Sequence, residues 1–596
     1  MVEDDYYSDR DFWETEEGID RYFVVFFSLL SLVLVLSKFL HDSPRIASIL
    51  PEAGMIIILG TIAGAIIHAI TPLEDYYEGE FGDDDELDGS INKFVAEGLL
   101  SFSPKVFFFI LLPPIIFNSG YTLKRDVFFR HIGPISLFAC VGTAISTLVV
   151  AILLQIVKIL GYTGDFEPHF IELLTFGSLI SATDPVSTLA VFQAKKVDPQ
   201  LFYLVFGESV LNDAVGLVLF KTLSKFVGKQ INFGQTFTAI FEFFLEFSVG
   251  FIGSMVLGIC AGLFSGYFLK MVDMRHAPLL ELSLFFLIMY MPFFYAELLE
   301  LSGIVTILFT GISARRYATG NLSESTEHHA DILFRLAAHI AETSIFLELG
   351  LSVFGLSSTI QWEFIGWSIL ACLIGRTYNI YPLTTLYNLF LLKNVPEETD
   401  TDDCDASIFS DTPIVKKDLK IRSNTAHMLW FSGLRGAVAY ACAKTFPNIY
   451  GNRATFVSTT MAIVFFTVFL FGCTTECALQ ILNIEMNCDE EQYMKENNTI
   501  NKMNYINKFE NKYIYPNVVR NFATNHEQDV EMDNKSAVTD PMDCVKSAPY
   551  QNFEGGKSVN TRKIQNRSLY DFGLGSSSSV MSSQVDTRDH VRRMLV

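Results

Sequence analysis

Four residues able to carry or steer charge, Asp184, Glu208, Asn212 and Asp213, fall inside two adjacent apolar stretches between Glu172 and Thr222. An ionised carboxylate at the centre of a bilayer costs at least a few kcal/mol, so such groups are rare and usually line an ion or proton pathway. Asp184 is followed by Pro185, which has no amide hydrogen with which to continue a helix. A helix broken there leaves a positive amide end and a negative carbonyl end facing each other near the midplane, where transporters build ion sites. Asp184 can offset the exposed amides, while Thr183 and nearby carbonyls can offer neutral oxygens to a cation. Ser209 and Asp213 are four apart, as are Glu208 and Asn212, so each pair shares a helical face. Asp213, beside Asn212, is the candidate for direct ion exchange.

The elements that must position these groups are membrane helices. The chain has 596 residues, 50% of them hydrophobic, 14% aromatic and 18% charged, with 54 Phe. That composition fits a polytopic membrane protein, and the net charge of -23 argues against nucleic acid as a partner. The nine cysteines stand singly apart from Cys473 and Cys477, one helical turn apart, which read as packing rather than as a disulfide or metal framework. Residues 1–20 hold nine carboxylates against Arg10 and read as an acidic non-cytosolic N-terminus rather than a cleavable signal.

Thirteen apolar spans follow within residues 21–483: Tyr22–Leu40, Ser48–Ile70, Pro104–Phe117, Ile132–Val157, the two between Glu172 and Thr222, Phe243–Leu269, Glu281–Phe294, Ser302–Ile312, Ala338–Phe354, Phe364–Leu391, His427–Phe446 and Ala454–Leu482. The third contains Pro113-Pro114 and is expected to bend or break there. Gly258, Gly262 and Gly266, at four-residue spacing, predict close helix contact within the protomer. Alternating the spans puts the Lys/Arg-bearing loops on the side of the C-terminal tail, the cytosol, with one exception: Lys221, Lys225 and Lys229 fall outside. Residues 71–100, with ten acids and one Lys, form an external loop. Residues 484–596 read as a cytosolic, largely disordered regulatory tail, whose stretch NKMNYINKFENKYIYPNVVR has the basic, aromatic character of an anionic-lipid or regulatory-protein contact. The sequons at Asn321, Asn497, Asn534 and Asn566 all fall on the cytosolic side, so none is expected to carry sugar.

The count exposes a repeat. Span five breaks at Asp184-Pro185, and seven spans later GLRGAVAY puts Gly433, Arg435 and Gly436 in mid-helix. An offset of seven inverts orientation, so spans 1–6 and 8–13 are expected to be inverted repeats around span seven. The crossed broken helices 5 and 12 would set Asp184 against amide ends and Arg435 against carbonyl ends.

The ordered runs FFFILLPPIIFNSGY, SLISATDPVSTLAVF, LVFGESVLNDAV, ELSGIVTILFTGI, ETSIFLELG, GRTYNIYPL and WFSGLRGAVAYA resemble the motifs of the eukaryotic sodium/proton exchangers over about residues 20–480. Details such as NSGYTLKRDVFF and RYATGNLS are similar to the organellar, Golgi and endosomal branch. The resemblance implies a homodimer in which a core of spans 4–6 and 11–13 moves like an elevator against a scaffold. It implies Asn212-Asp213 as the ion-site pair and Glu208 salt-bridged to Arg376. It also links the stretch around Phe107, Leu112, Pro113 and Pro114 to amiloride-type inhibition, and matches Glu342 to the family's span-ten acid. Glu348, one and a half turns beyond Glu342, and the acidic insertion at 400–418 have no role implied by it.

The expected function is therefore electroneutral exchange of Na+ (or K+) for H+, regulating organellar or cytosolic pH, with no cofactor and no enzymatic activity. Asp213 is the one exchangeable carboxylate, because Asn212 is neutral and Glu208 is tied to Arg376. A cation channel is the alternative; a lone titratable carboxylate and inverted repeats favour alternating access over a channel. Asp184 and Asp213 on neighbouring spans also suit an intramembrane aspartyl protease, but the GxGD motif is missing and Asn212 with the Glu208–Arg376 pair has no role there.

Overall fold

The computed structural model describes residues 16–41, 51–70, 103–123, 125–164, 166–229, 236–355, 360–393, 420–488 and 510–520, all within the unit Met1–Glu527. Most of the acidic N-terminus, the external loop at 71–100, the insertion at 400–418, most of the tail and the sequons Asn497, Asn534 and Asn566 lie outside these residues. Among the described residues every regular element is helical. The main ones are α1 (Glu16–His41), α2 (Glu52–Ile70), α3 (Pro104–Thr122), α4 (Ile132–Ile159), α5a (Phe170–Ser181) with α5b (Val186–Lys195), α6 (Pro199–Ser224) and α7 (Phe241–Met271). There follow α8 (Pro278–Leu298), α9 (Gly303–Tyr317), α10 (Glu324–Leu351), α11 (Trp362–Lys393), α12a (Ser423–Phe431) with α12b (Ala437–Lys444), and α13 (Arg453–Ile481).

Nine described helices, α1–α4, α6–α8, α10 and α13, are long and apolar enough to cross a membrane. The other four crossings expected from the sequence fall on α5 and α12, each in two halves, on the 15-residue α9, and on α11, which carries Arg376 in mid-helix.

Of the bend or break expected at Pro113-Pro114, the break does not occur. Residues Phe107–Leu111 form a π-helical turn, and an α-helix resumes at Leu112 with the prolines in its first turn, where amide donors are not required. The tenth helix also begins well before the expected Ala338. Ser323 caps it by accepting from the Thr326 amide, and its first turns run clear of the apolar span.

The α7 glycines do bring helices together. A Cβ on Gly258, Gly262 or Gly266 would collide with Thr306, Ser313 or Tyr317 of α9, so the two backbones touch within one protomer. A second contact is aromatic: Phe117 and Tyr121 of α3 pack on Phe334 of α10, with ring centroids 4.4 and 5.5 Å away.

In the described part of the basic, aromatic tail stretch, residues 510–520, Glu510 and Arg520 bond to the helices they lie against. Glu510 accepts from the Arg316 guanidinium (3.1 Å) and the Tyr317 hydroxyl (2.7 Å). Arg520 donates to the carbonyls of Leu269 and Lys270 at the end of α7, and the Lys270 ammonium donates to the carbonyls of Pro516 and Asn517. Arg275 and Arg520 beside the exposed Asp273 hold its carboxyl well below the usual carboxylate range. Asn321 lies beneath this segment, 2% exposed, with its amide donating to the carbonyls of Gly266, Tyr317 and Val518. Its nitrogen is thus already committed. Glycosidase treatment is expected to leave the mass of the Asn321 peptide unchanged, and Asn321→Ala is expected to lower the melting temperature in detergent by several degrees through the stranded carbonyls.

Candidate functional site

The helices α5 and α12 stop in mid-membrane, and each unwound stretch is held by groups from the other. The Asp184 amide donates to the Leu434 carbonyl (2.9 Å), tying the two crossings directly. Arg435, 1% exposed, donates through Nη1 to the carbonyls of Ser181 (2.7 Å) and Ala182 (3.0 Å), the negative end of α5a. Asp184 Oδ1 accepts from the Val186 amide (3.2 Å) at the positive end of α5b. Gly436 leaves the room this needs, because a Cβ there would overlap the Asp184 carboxylate. The Arg435 amide donates to the Thr467 hydroxyl of α13 (3.0 Å), and its Nε to the Cys372 sulfur (3.2 Å).

A second buried guanidinium braces the other side of α6. Arg376 of α11 donates Nη1 and Nη2 to the two carboxylate oxygens of Glu208, and Nη2 also to the Leu429 carbonyl (2.7 Å) at the end of α12a. Both partners are nearly fully buried, and the Arg376 guanidinium lies against Gly433, where no side chain intrudes.

Asn212 is likewise occupied. Its amide donates to the Ser181 carbonyl and the Thr183 hydroxyl, both at 3.2 Å, and its oxygen accepts from Thr143 (2.6 Å). Ser209 donates to the Thr183 carbonyl (2.8 Å). These side chains fix the unwound stretch from Ser181 to Thr183.

Asp213 stands apart: its Oδ1 is occluded and meets no hydrogen-bond donor. With Asp184, Ser209 and Glu342 it lines a cavity between α3, α5b, α6 and α10. Phe107 and Leu112 line it too, whereas Pro113 and Pro114 are buried in α3 and do not. Glu348 points elsewhere; it is buried, its Oε2 has no donor, and it takes no part in the cavity.

Three residues of this arrangement were not singled out from the sequence. Thr143, Ser146 and Thr147 make a polar stripe at i, i+3 and i+4 on α4, where it meets α5a and α6. The spacing was there to be read in an otherwise apolar span.

The transmembrane sodium/hydrogen exchanger family model matches residues 29–481. Human sodium/hydrogen exchanger 8 is 36% identical over 469 residues, covering 77% of this chain and 72% of that protein. Human sodium/hydrogen exchanger 9 is 37% identical over 402 residues, 67% of this chain and 58% of that protein. The structure of the sodium proton antiporter MjNhaP1 from Methanocaldococcus jannaschii overlays 77% of this chain and 98% of that one at 16% identity, with a TM-score of 0.49.

Two expected outcomes test the geometry. Glu208→Gln or Arg376→Gln alone strands a buried charge and is expected to cost about 3–5 kcal/mol, with the double variant less destabilised than the sum of the two in detergent melting curves. Gly436→Ala is expected to push Asp184 off the α5b amide end and cost about 1–3 kcal/mol, while Gly366→Ala, where a Cβ meets nothing, leaves the crossing untouched.

Proposed function

The chain belongs to the transmembrane sodium/hydrogen exchanger family, and from that premise we propose that it exchanges Na+ or K+ for H+ at Asp213, one for one. The observation that carries this reading is the isolation of that carboxylate. Arg376 is spent on Glu208, Arg435 on the α5a carbonyls, and Asn212 and Ser209 on the unwound stretch. Asp213 Oδ1 is left with no donor, so a proton or a cation must supply what the protein withholds.

Asp184 completes the site from the opposite wall. Its Oδ1 is held by the Val186 amide and its other oxygen remains for the cation. The carbonyls of Ser181, Ala182 and Thr183 already accept from protein donors, which leaves the two aspartates as the main protein ligands. Glu342, on α10 across the cavity, gives the approach a further acid. One cation displacing one proton at Asp213 moves no net charge.

The same reading takes the chain as a thirteen-span protein of inverted repeats with a cytosolic tail. It works as a homodimer, in Golgi or endosomal membranes in preference to the plasma membrane, and regulates organellar or cytosolic pH. The similarity to sodium/hydrogen exchangers 8 and 9 supports the exchange activity in this reading.

In proteoliposomes, Asp213→Asn is expected to reduce cation-driven proton flux to below a few per cent of the unmodified protein while leaving it monodisperse. Retained coupled flux would remove Asp213 from the centre of the mechanism. Clamping the vesicles at zero and at about 100 mV separates electroneutral from electrogenic exchange, because one net charge is worth about 2.3 kcal/mol across that potential. The equilibrium gradient is expected not to move.

A further inference from the structure

The three lysines that break the loop-charge pattern each face an acid. Lys221, in the last turn of α6, donates to both oxygens of Glu297 at the end of α8 (3.0 and 3.1 Å). Lys225 lies 3.4 Å from Glu246 and Lys229 lies 4.0 Å from Glu242, the two acids being one turn apart at the start of the seventh helix. Glu297 is itself fixed, since its Oε1 also accepts from the Gly303 amide at the start of α9 (3.0 Å). The lysines are therefore balanced where they stand.

Their position matters because the cavity comes from the other end. On α6 its lining residues run from Phe206 to Asp213, on the Pro199 side of Asp213, and on α5b they are Val186 and Leu189, in the half-helix that leads from the break to Lys195. Beyond Asp213, α6 is buried from Ala214 to Phe220. There Ala214 and Val218 pack with Val305 of α9, and Phe247 and Phe251 close over them. The Lys221–Glu297 pair sits at the rim of that apolar seal.

We infer that Lys221, Lys225 and Lys229 with Glu297, Glu246 and Glu242 form an electrostatic clasp that holds the external side closed while Asp213 is open to the cytosolic cavity. The clasp rests on the exchange reading, in which Asp213 must face both sides in turn. Facing outward requires α6 to part from α8 and from the start of α7, and these pairs are what it must leave. They are half-exposed, with Lys221 at 44% and Glu297 at 27%, so each is weak enough to break in every cycle. A buried pair of the Glu208–Arg376 kind at this position would lock the carrier.

The test reads which side is open, independently of transport. Leu189→Cys places a thiol on the cavity wall, and its modification by a membrane-impermeant maleimide supplied at the cytosolic side is followed by peptide mass spectrometry. Lys221→Gln and Glu297→Gln are each expected to slow this labelling about two- to fivefold, the range an exposed ion pair commands. The charge swap Lys221→Glu with Glu297→Lys is expected to restore it. Raising salt from about 0.15 to 1 M is expected to slow labelling of the unmodified protein and to slow the two neutralised variants less, because the Lys225–Glu246 and Lys229–Glu242 pairs remain in them. Equal labelling in all variants, or a swap that behaves like the single changes, would overturn the clasp. Parallel flux measurements keep the two readings apart. Unchanged labelling with flux that still depends on Asp213 removes the clasp alone; shifted labelling with coupled flux surviving Asp213→Asn keeps the clasp and removes the exchange site.

Discussion

Two helices that stop halfway across a membrane present carbonyl and amide ends that lipid cannot satisfy, and the rest of the site follows from how those ends are met. Arg435 covers the carbonyl end of α5a, Asp184 covers the amide end of α5b, and the Asp184 amide donates to Leu434 to pin the crossing. Arg435 of α12 thus supplies the charge that completes α5a, while Asp184 caps the second half of its own crossing. The arrangement needs a glycine at position 436, because the compensating carboxylate occupies the space a side chain would take.

Once those ends are satisfied, elimination singles out the reactive group. Buried polar groups cost free energy unless paired, and this core pairs nearly all of those around Asp213. Glu208 meets a two-pronged guanidinium, Asn212 uses both amide hydrogens and its oxygen, and the Ser and Thr hydroxyls bind carbonyls. In the proposed exchange, a carboxylate oxygen left without a donor in such company is where a proton and a small cation compete, and that competition couples their movements. The π-helical turn of α3 places Phe107 on the cavity wall, and that of α4 packs against α6.

The periphery follows the opposite logic. Where the core uses buried, hydrogen-bonded charge for rigidity, the rim beside Lys221 uses half-exposed Lys–Glu pairs, and the ends of α7 and α9 are covered by the returning segment at 510–520. Charges that must let go belong at the surface, where water takes over their solvation at little cost.

Much of this was legible in the residues alone. Carboxylates inside apolar runs are too costly to be incidental, so Asp184, Glu208 and Asp213 declared themselves, and Pro185 with Gly433 and Gly436 marked the breaks. The ordered motifs identified the family. Other features turned on contacts between segments far apart in the chain. Pro113-Pro114 looked like a bend or break, yet the prolines fall in the first turn of an α-helix that resumes after a π turn. Thr143 looked like one hydroxyl among several until α6 brought Asn212 against it. Lys221, Lys225 and Lys229 looked like a flaw in the topology until α7 and α8 set a carboxylate opposite each. The sequence by itself determined which groups are too costly to sit in lipid unpaired. Only the tertiary structure decided which partner each one meets, because pairing depends on distances between helices that no local spacing encodes, and so only it decided that Asp213 is left without one.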